Sequence, residues 1–229
     1  MLIENILPDQ VLLDLFERRH SCRAFTQRAV PHEIVERILT LAQHTASWCN
    51  AQPWLVHLIS GPATDRFRAG LSIYRSTNSP SPDFAFPERY EGVYQERRRA
   101  CGLQLYDAVG VVRGDRVASQ AQAMRNFELF DAPQAVFITT EESLGIYGAV
   151  DCGAYVANFM SAAQSLGVAC IAQAALANYP GYIRKFFDLP QSRRVVCAIS
   201  FGYEDENHPA NTFRTSRAAV SEVAQWVTG

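Results

Sequence analysis

Residues 134–174 read QAVFITTEESLGIYGAVDCGAYVANFMSAAQSLGVACIAQA, and three elements are legible in that one stretch. Gln134 to Thr140 is a short run rich in β-branched and aromatic residues, which predicts a strand. Gly145 to Leu166 is too long for a strand. Asp151, Asn158, Ser161 and Gln164 interrupt it, so it predicts a buried helix rather than a lone membrane span. Gly167 supplies the left-handed residue that ends such a helix. Val168 to Ala174 then predicts a second, shorter strand.

Toward the C-terminus, Pro180 to Phe187 predicts a helix and Arg194 to Gly202 (RVVCAISFG) a strong strand. A final helix is expected from about Ala218 to Val227. Toward the N-terminus, Pro8 and Asp9 open a helix whose Val11, Leu12, Leu15 and Phe16 share one face. Pro31 suits the first position of a second helix, with Ile34, Val35, Ile38, Leu39 and Ala42 on its buried side. Thr45 to Pro53 breaks the pattern and reads as a loop. Trp54 to Ser60 (WLVHLIS) is a strand ended by Gly61-Pro62.

The middle of the chain is less regular. Ser72 to Pro87, with Pro80, Pro82 and Pro87, reads as a long loop of the kind that serves as a lid or binding loop. Pro87 to Ala108 predicts a helix carrying Arg97, Arg98 and Arg99 as a solvated or ion-paired face. Asp115 to Phe130 predicts another. No repeat, low-complexity tract or domain boundary interrupts this order. Helices with few, well-separated strands predict one α+β domain over residues 1–229, a sheet sandwiched by helices.

Composition narrows the function. The 229 residues are 48% hydrophobic and 19% charged, with a net charge of −2. That is a globular balance, and it argues against nucleic-acid or membrane-surface partners. The cysteines at 22, 49, 101, 152, 170 and 197 form no C-x-x-C and read as reduced, buried thiols of a cytoplasmic protein. Met1 to Asn5 lacks the basic start of a signal peptide. There is no G-x-G-x-x-G after a strand, no phosphate-binding P-loop, no G-x-S-x-G elbow and no H-E-x-x-H. The histidines at 20, 32, 44, 57 and 208 do not pair at ligand spacing, so no metal is expected. Chemistry in this chain points to an organic cofactor.

Three constellations remain. Arg18-Arg19-His20-Ser21-Cys22-Arg23-Ala24-Phe25 gathers three guanidiniums, an imidazole and a hydroxyl just past the first helix. Such a set either binds a phosphate monoester or caps the helix carbonyls. Asn211-Thr212-Phe213-Arg214-Thr215-Ser216-Arg217 precedes the expected last helix. It is either an anion site at a helix start or a capped loop with paired arginines. Ala46-Ser47-Trp48-Cys49-Asn50-Ala51-Gln52-Pro53-Trp54 offers amide edges and a flat wall to a heterocycle, or is an ordinary polar turn.

In this order and at these distances the segments resemble the FMN-dependent nitroreductase family, in its nitroaromatic and nitrobenzoate-reducing branch. The first is similar to that family's R-R-S-x-R-x-F element and the third to its A-P-S-x-x-N-x-Q-P-W element. Ala172-Gln173-Ala174-Ala175-Leu176-Ala177-Asn178-Tyr179-Pro180 resembles its P-Q-A-x-L-A-x-Y-P run. Phe201-Gly202-Tyr203 followed by Asn211-x-Phe213-Arg214-x-x-Arg217 resembles its ending. His20 stands where the family often has Arg, Ala46 where it has Pro, Trp48 where it has a small residue, and Cys49 where it has Thr.

The resemblance implies a nitroreductase-like mixed or antiparallel sheet flanked by helices, in an intertwined homodimer with FMN at the subunit interface. It implies that Arg19, His20, Ser21 and Arg23 hold the phosphate, ribityl chain and pyrimidine end, and that Arg214 and Arg217 complete the phosphate clamp. Arg23 is then the cation near flavin N1 and C2. Ser47, Trp48, Cys49, Asn50 and Gln52 would approach the ring from the partner subunit. Trp48 and Cys49 would also meet the acceptor, with Trp48 narrowing its pocket to flat aromatics. Gln173 and Ala174 would lie along the ring edge, where a backbone N–H reaches N5. The implied activity is ping-pong hydride transfer from NADH or NADPH through flavin N5 to nitroaromatics or quinones, with no catalytic side chain. Reduction of an activated alkene, reductive dehalogenation, and a flavin-binding dimer without turnover are the alternatives.

Overall fold

A computed structural model describes residues 7–229. The first six residues, where no signal peptide was expected, lie outside the described ones. The elements run α1 (Pro8–Arg18), α2 (His32–Ala42), β1 (Leu55–Ser60), α3 (Pro62–Thr77), α4 (Gly92–Ala108), α5 (Arg116–Met124), β2 (Gln134–Glu141), α6 (Gly145–Ser165), β3 (Ala169–Gln173), α7 (Pro180–Phe187), β4 (Arg193–Gly202) and α8 (Val220–Val223). The four strands form one sheet in the order β1-β2-β4-β3. Every neighbouring pair is antiparallel. The one parallel pairing among the described residues is an isolated bridge between Ser21 and Cys170, which lays the N-terminal segment against the edge strand β3.

Successive side chains of a strand point to opposite faces, and β2 shows what that does here. Val136 and Ile138 pack with α2 and α6, against Ile38, Tyr155 and Phe159. Ala135 and Phe137 pack with α3 and α7, against Phe67, Leu71 and Ile183. Both faces are covered, so β2 reads in sequence as a continuous apolar run rather than an alternation. The long helix α6 buries Cys152, Tyr155, Val156, Phe159 and Ala163 and ends as expected, with Gly167 at φ +71°. Burial pushes the thiols of Cys22, Cys152, Cys170 and Cys197 up to about 12.

Five sequence expectations need correction. Residues 72–77 continue α3, which the sequence reading missed altogether, and the irregular segment begins at Asn78. That segment is no lid. The Asp83 carboxylate is buried and accepts from Arg184 Nη1 at 2.7 Å and from the Val195 backbone N–H at 2.8 Å, which pins the loop to β4. The helix expected over 115–130 stops at Met124 and passes into a 3-10 segment, in which Leu129, Phe130 and Asp131 all adopt positive φ. Pro31 caps α2 from outside rather than opening it. The last helix shrinks from ten residues to one turn, Val220–Val223, with Trp226 and Val227 exposed beyond it.

No helix among the described residues is long and apolar enough to cross a membrane.

Candidate active site

Strand β4 ends at Gly202, and the chain then runs beside the segment after α1. The Asp205 N–H donates to Ala24 O, and the Thr26 N–H to Tyr203 O. Asn211 locks the two segments together. Its Oδ1 accepts from the Arg23 backbone N–H at 2.7 Å, and its Nδ2 donates to Ala24 O and Asp205 O at 2.9 and 3.0 Å. Asn211 is buried, so these bonds form away from competing water. The consequence is that residues nearly 190 positions apart share one cavity.

That cavity has a volume of 420 Å³, and its lining includes Arg19, His20, Ser21, Arg23, Arg214 and Arg217. Glu17 is the acid on its lining. Among the described residues none of the four arginines forms a salt bridge. Three of them are held instead by uncharged oxygens, mostly of the backbone. Arg214 Nη1 donates to Asn211 O at 2.7 Å, Arg217 Nη1 to Thr215 Oγ1 at 2.8 Å, and Arg23 Nη1 to Ser21 O at 3.1 Å. Guanidiniums oriented by carbonyls and unneutralised by acids are a donor set for a dianion such as a phosphate monoester. The expected helix start at this segment is absent, since residues 213–219 carry no helix. The arginines and Ser21 therefore make the anion site without a helix dipole.

His20 is committed to the fold. Its Nε2 meets Glu204 Oε1 at 2.9 Å and its Nδ1 meets Arg18 O at 3.1 Å. Arg23 is half-buried beside Phe213, with its guanidinium carbon 5.6 Å from that ring. Burial lowers its pKa, while the nearby Cys101 and Cys22 sulfurs oppose that shift. Desolvation strengthens whatever negative charge it faces.

Arg23 also lines a second cavity of 300 Å³, whose other walls include Tyr106, Asn126, Phe130, Gln173 and Ala174. The guanidinium thus stands between an anion pocket and a flatter pocket along β3. Past the bridge at Cys170, β3 has no strand on its outer side. An edge strand presents backbone donors and acceptors that a heterocycle can use. The Gln173 side chain does not take part. It is buried, with Nε2 donating to Asn126 O at 2.9 Å and Oε1 accepting from Ser200 Oγ. The backbone around Gln173 and the exposed Ala172 and Ala174 face outward.

The third segment lies elsewhere. Neither Trp48 nor Cys49 lines either cavity. The 3-10 turn Trp48–Asn50 projects from the end of α2 toward the start of α6, and the Trp48 N–H donates to Asp151 Oδ2 at 3.1 Å. Cys49, Asn50 and Gln52 hold positive φ of 52°, 55° and 48°, a strained path for non-glycine residues. The Gln52 N–H donates to Ser47 Oγ at 2.9 Å, which braces the turn. Trp48, Cys49, Asn50 and Gln52 are all exposed, and Ser47 is half-buried. A single chain therefore joins the two arginine segments and the β3 edge, but not the tryptophan loop. Sequence reading missed Asn211 and Asp151 as organising residues. Asn211 stood inside a quoted motif, while Asp151 carried no local signal.

The chain matches the protein family described as Nitroreductase family over residues 16–203. It is 32% identical to nitroreductase NfnB of Mycolicibacterium smegmatis over 213 residues, 93% of this chain and 91% of that protein. It is 29% identical to the 4-nitrobenzoate reductase of Pseudomonas putida, covering 92% of this chain and 91% of the relative. The solved structure of the FMN-dependent nitroreductase NfnB from Mycobacterium smegmatis in complex with NADPH superposes with a TM-score of 0.91. That match has 31% identity and covers 96% of this chain and 99% of the other.

Proposed function

The chain belongs to the nitroreductase family, and we propose that it is a cytoplasmic, single-domain FMN-dependent nitroreductase working as a homodimer. The observation that carries this is the cavity in which Arg19, Arg23, Arg214 and Arg217 converge without a carboxylate partner among the described residues. The donor set fits the FMN phosphate, and the adjoining pocket along β3 fits a flat ring.

When bound, FMN supplies the hydride carrier between NADH or NADPH and an electron-poor acceptor such as a nitroaromatic or a quinone. The protein's share is binding and orientation. Arg19, Ser21, Arg214 and Arg217 hold the phosphate, and His20 walls the same pocket. Arg23 sets a positive charge at the pyrimidine end, where it stabilises negative charge on the reduced ring. The backbone at Gln173 and Ala174 orients the ring edge from β3. Ser47, Trp48, Cys49, Asn50 and Gln52 reach the ring from the partner subunit, which explains why one chain holds them apart from its own cavities. Trp48 and Cys49 border the acceptor. No side chain is assigned a proton-transfer role.

A helix face supports the dimer. Val11, Leu12 and Phe16 of α1, and Ile146 and Val150 of α6, are all exposed large apolar residues. Such a surface fits the buried core of an obligate interface.

The test is anaerobic mixing of the purified protein with NADPH and then with nitrobenzene. Loss of flavin colour on the first addition and its return on the second is the expected outcome. Protein that takes up no FMN, or holds FMN that neither NADPH nor NADH bleaches, contradicts the proposal.

A further inference from the structure

Trp48 is not alone on its face of the molecule. Its ring meets Tyr147 edge-on, with centroids 4.9 Å apart and an interplanar angle of 66°. Trp48 is 61% exposed and Tyr147 59% exposed, so together they form an open aromatic platform. Beneath it lies Asp151, one turn further along α6 and hence on the same helix face as Tyr147. The Asp151 carboxylate accepts from the Trp48 backbone N–H and so caps the strained turn Trp48–Asn50. No ion pair within the described residues neutralises it. Residues 43–54 and 145–153 contain no Lys or Arg.

We propose that Asp151 is a specificity-determining residue of the acceptor site. It positions the Trp48 turn and gives the Trp48–Tyr147 platform a negative floor, so that flat uncharged nitroaromatics are accepted and carboxylated ones are repelled. This rests on the proposal that the Trp48 loop borders the acceptor. A benzoate-type acceptor stacked on the platform would bring a second carboxylate close to Asp151, on two segments that carry no Lys or Arg of their own. Like charges at such range in a partly desolvated site discriminate strongly, and the effect weakens with salt.

The test compares kcat/KM for nitrobenzene and 4-nitrobenzoate in the FMN-loaded enzyme with saturating NADPH. The expected preference for nitrobenzene is about tenfold at low salt, shrinking as salt is added. Asp151→Asn keeps an oxygen for the Trp48 N–H and removes the charge, so it should narrow the ratio to within about threefold, a size set by losing one charge pair. Tyr147→Lys, at an exposed position, should reverse the preference. Trp48→Ser should weaken discrimination among flat aromatics generally. Equal use of both acceptors by the unaltered enzyme, or a ratio unmoved by Asp151→Asn and Tyr147→Lys, overturns this proposal alone. Bound flavin that reduces neither acceptor overturns it together with the proposal it rests on.

Discussion

The segments around Arg23 and Arg214 are 188 residues from first anchor to last, yet hydrogen bonds from Asn211 hold them in one pocket. The loop around Trp48 is continuous in sequence and braced at Asp151 and Ser47, yet it faces open space. The first region is finished within a single chain; the second, on the proposed reading, is finished by a partner subunit. The same contrast runs through the helices. α2, α6 and α7 bury residues against the sheet, whereas α1, α4 and α5 bury none. Helices that bury nothing in their own chain have little reason to persist on local propensity alone. In the proposed homodimer, their apolar faces are where a second subunit and the cofactor supply the missing contacts.

The contrast breaks if the arginine pocket is not the anchor. Arg214→Ala combined with Arg217→Ala should weaken FMN binding by about 100- to 20,000-fold, since each charge-assisted contact is worth about 1.5–3 kcal/mol. Fluorescence titration with free FMN reads this directly, and unchanged affinity removes the phosphate assignment. A smaller effect is expected from Asn211→Ala, which strips partners from the Arg23 N–H, Ala24 O and Asp205 O. It should cost about 2–4 kcal/mol of stability by chemical denaturation. FMN affinity should fall about tenfold, because the arginines remain but lose their spacing. A variant as stable as the parent would show that the two segments converge without this staple.

The sequence made the sheet and its central helices legible because burial on two faces leaves a strong apolar signature. β2, α6, β3, α7 and β4 all lie within a residue or two of their expected bounds. α3 was hidden because it buries only Thr64, Phe67 and Leu71. It is held by long-range contacts that no local pattern encodes. Tyr182 Oη donates to Phe67 O at 3.0 Å, and Gly70 leaves room for that phenol. The last helix failed for the opposite reason. Val220, Val223, Trp226 and Val227 repeat at helical spacing, but the chain offers them nothing to pack against. The three site segments were legible as residue types in order. The convergence of the two arginine segments was not, since it depends on Asn211 accepting from the Arg23 backbone N–H across 188 residues, and the Trp48 turn is held by Asp151 from a distant helix.

A site finished by two chains predicts complementation, and bound-flavin stoichiometry in mixed dimers measures it. One chain carries Arg214→Ala with Arg217→Ala. The other carries Asn50→Pro, whose ring fixes φ near about −65° and cannot follow the positive φ of the Trp48 turn. Each variant alone should purify without flavin. The co-expressed mixed dimer should hold one FMN per two chains, because one of its sites takes intact arginines from one subunit and an intact loop from the other. A mixed dimer without flavin, or an Asn50→Pro protein that holds FMN at full occupancy, would contradict the shared site.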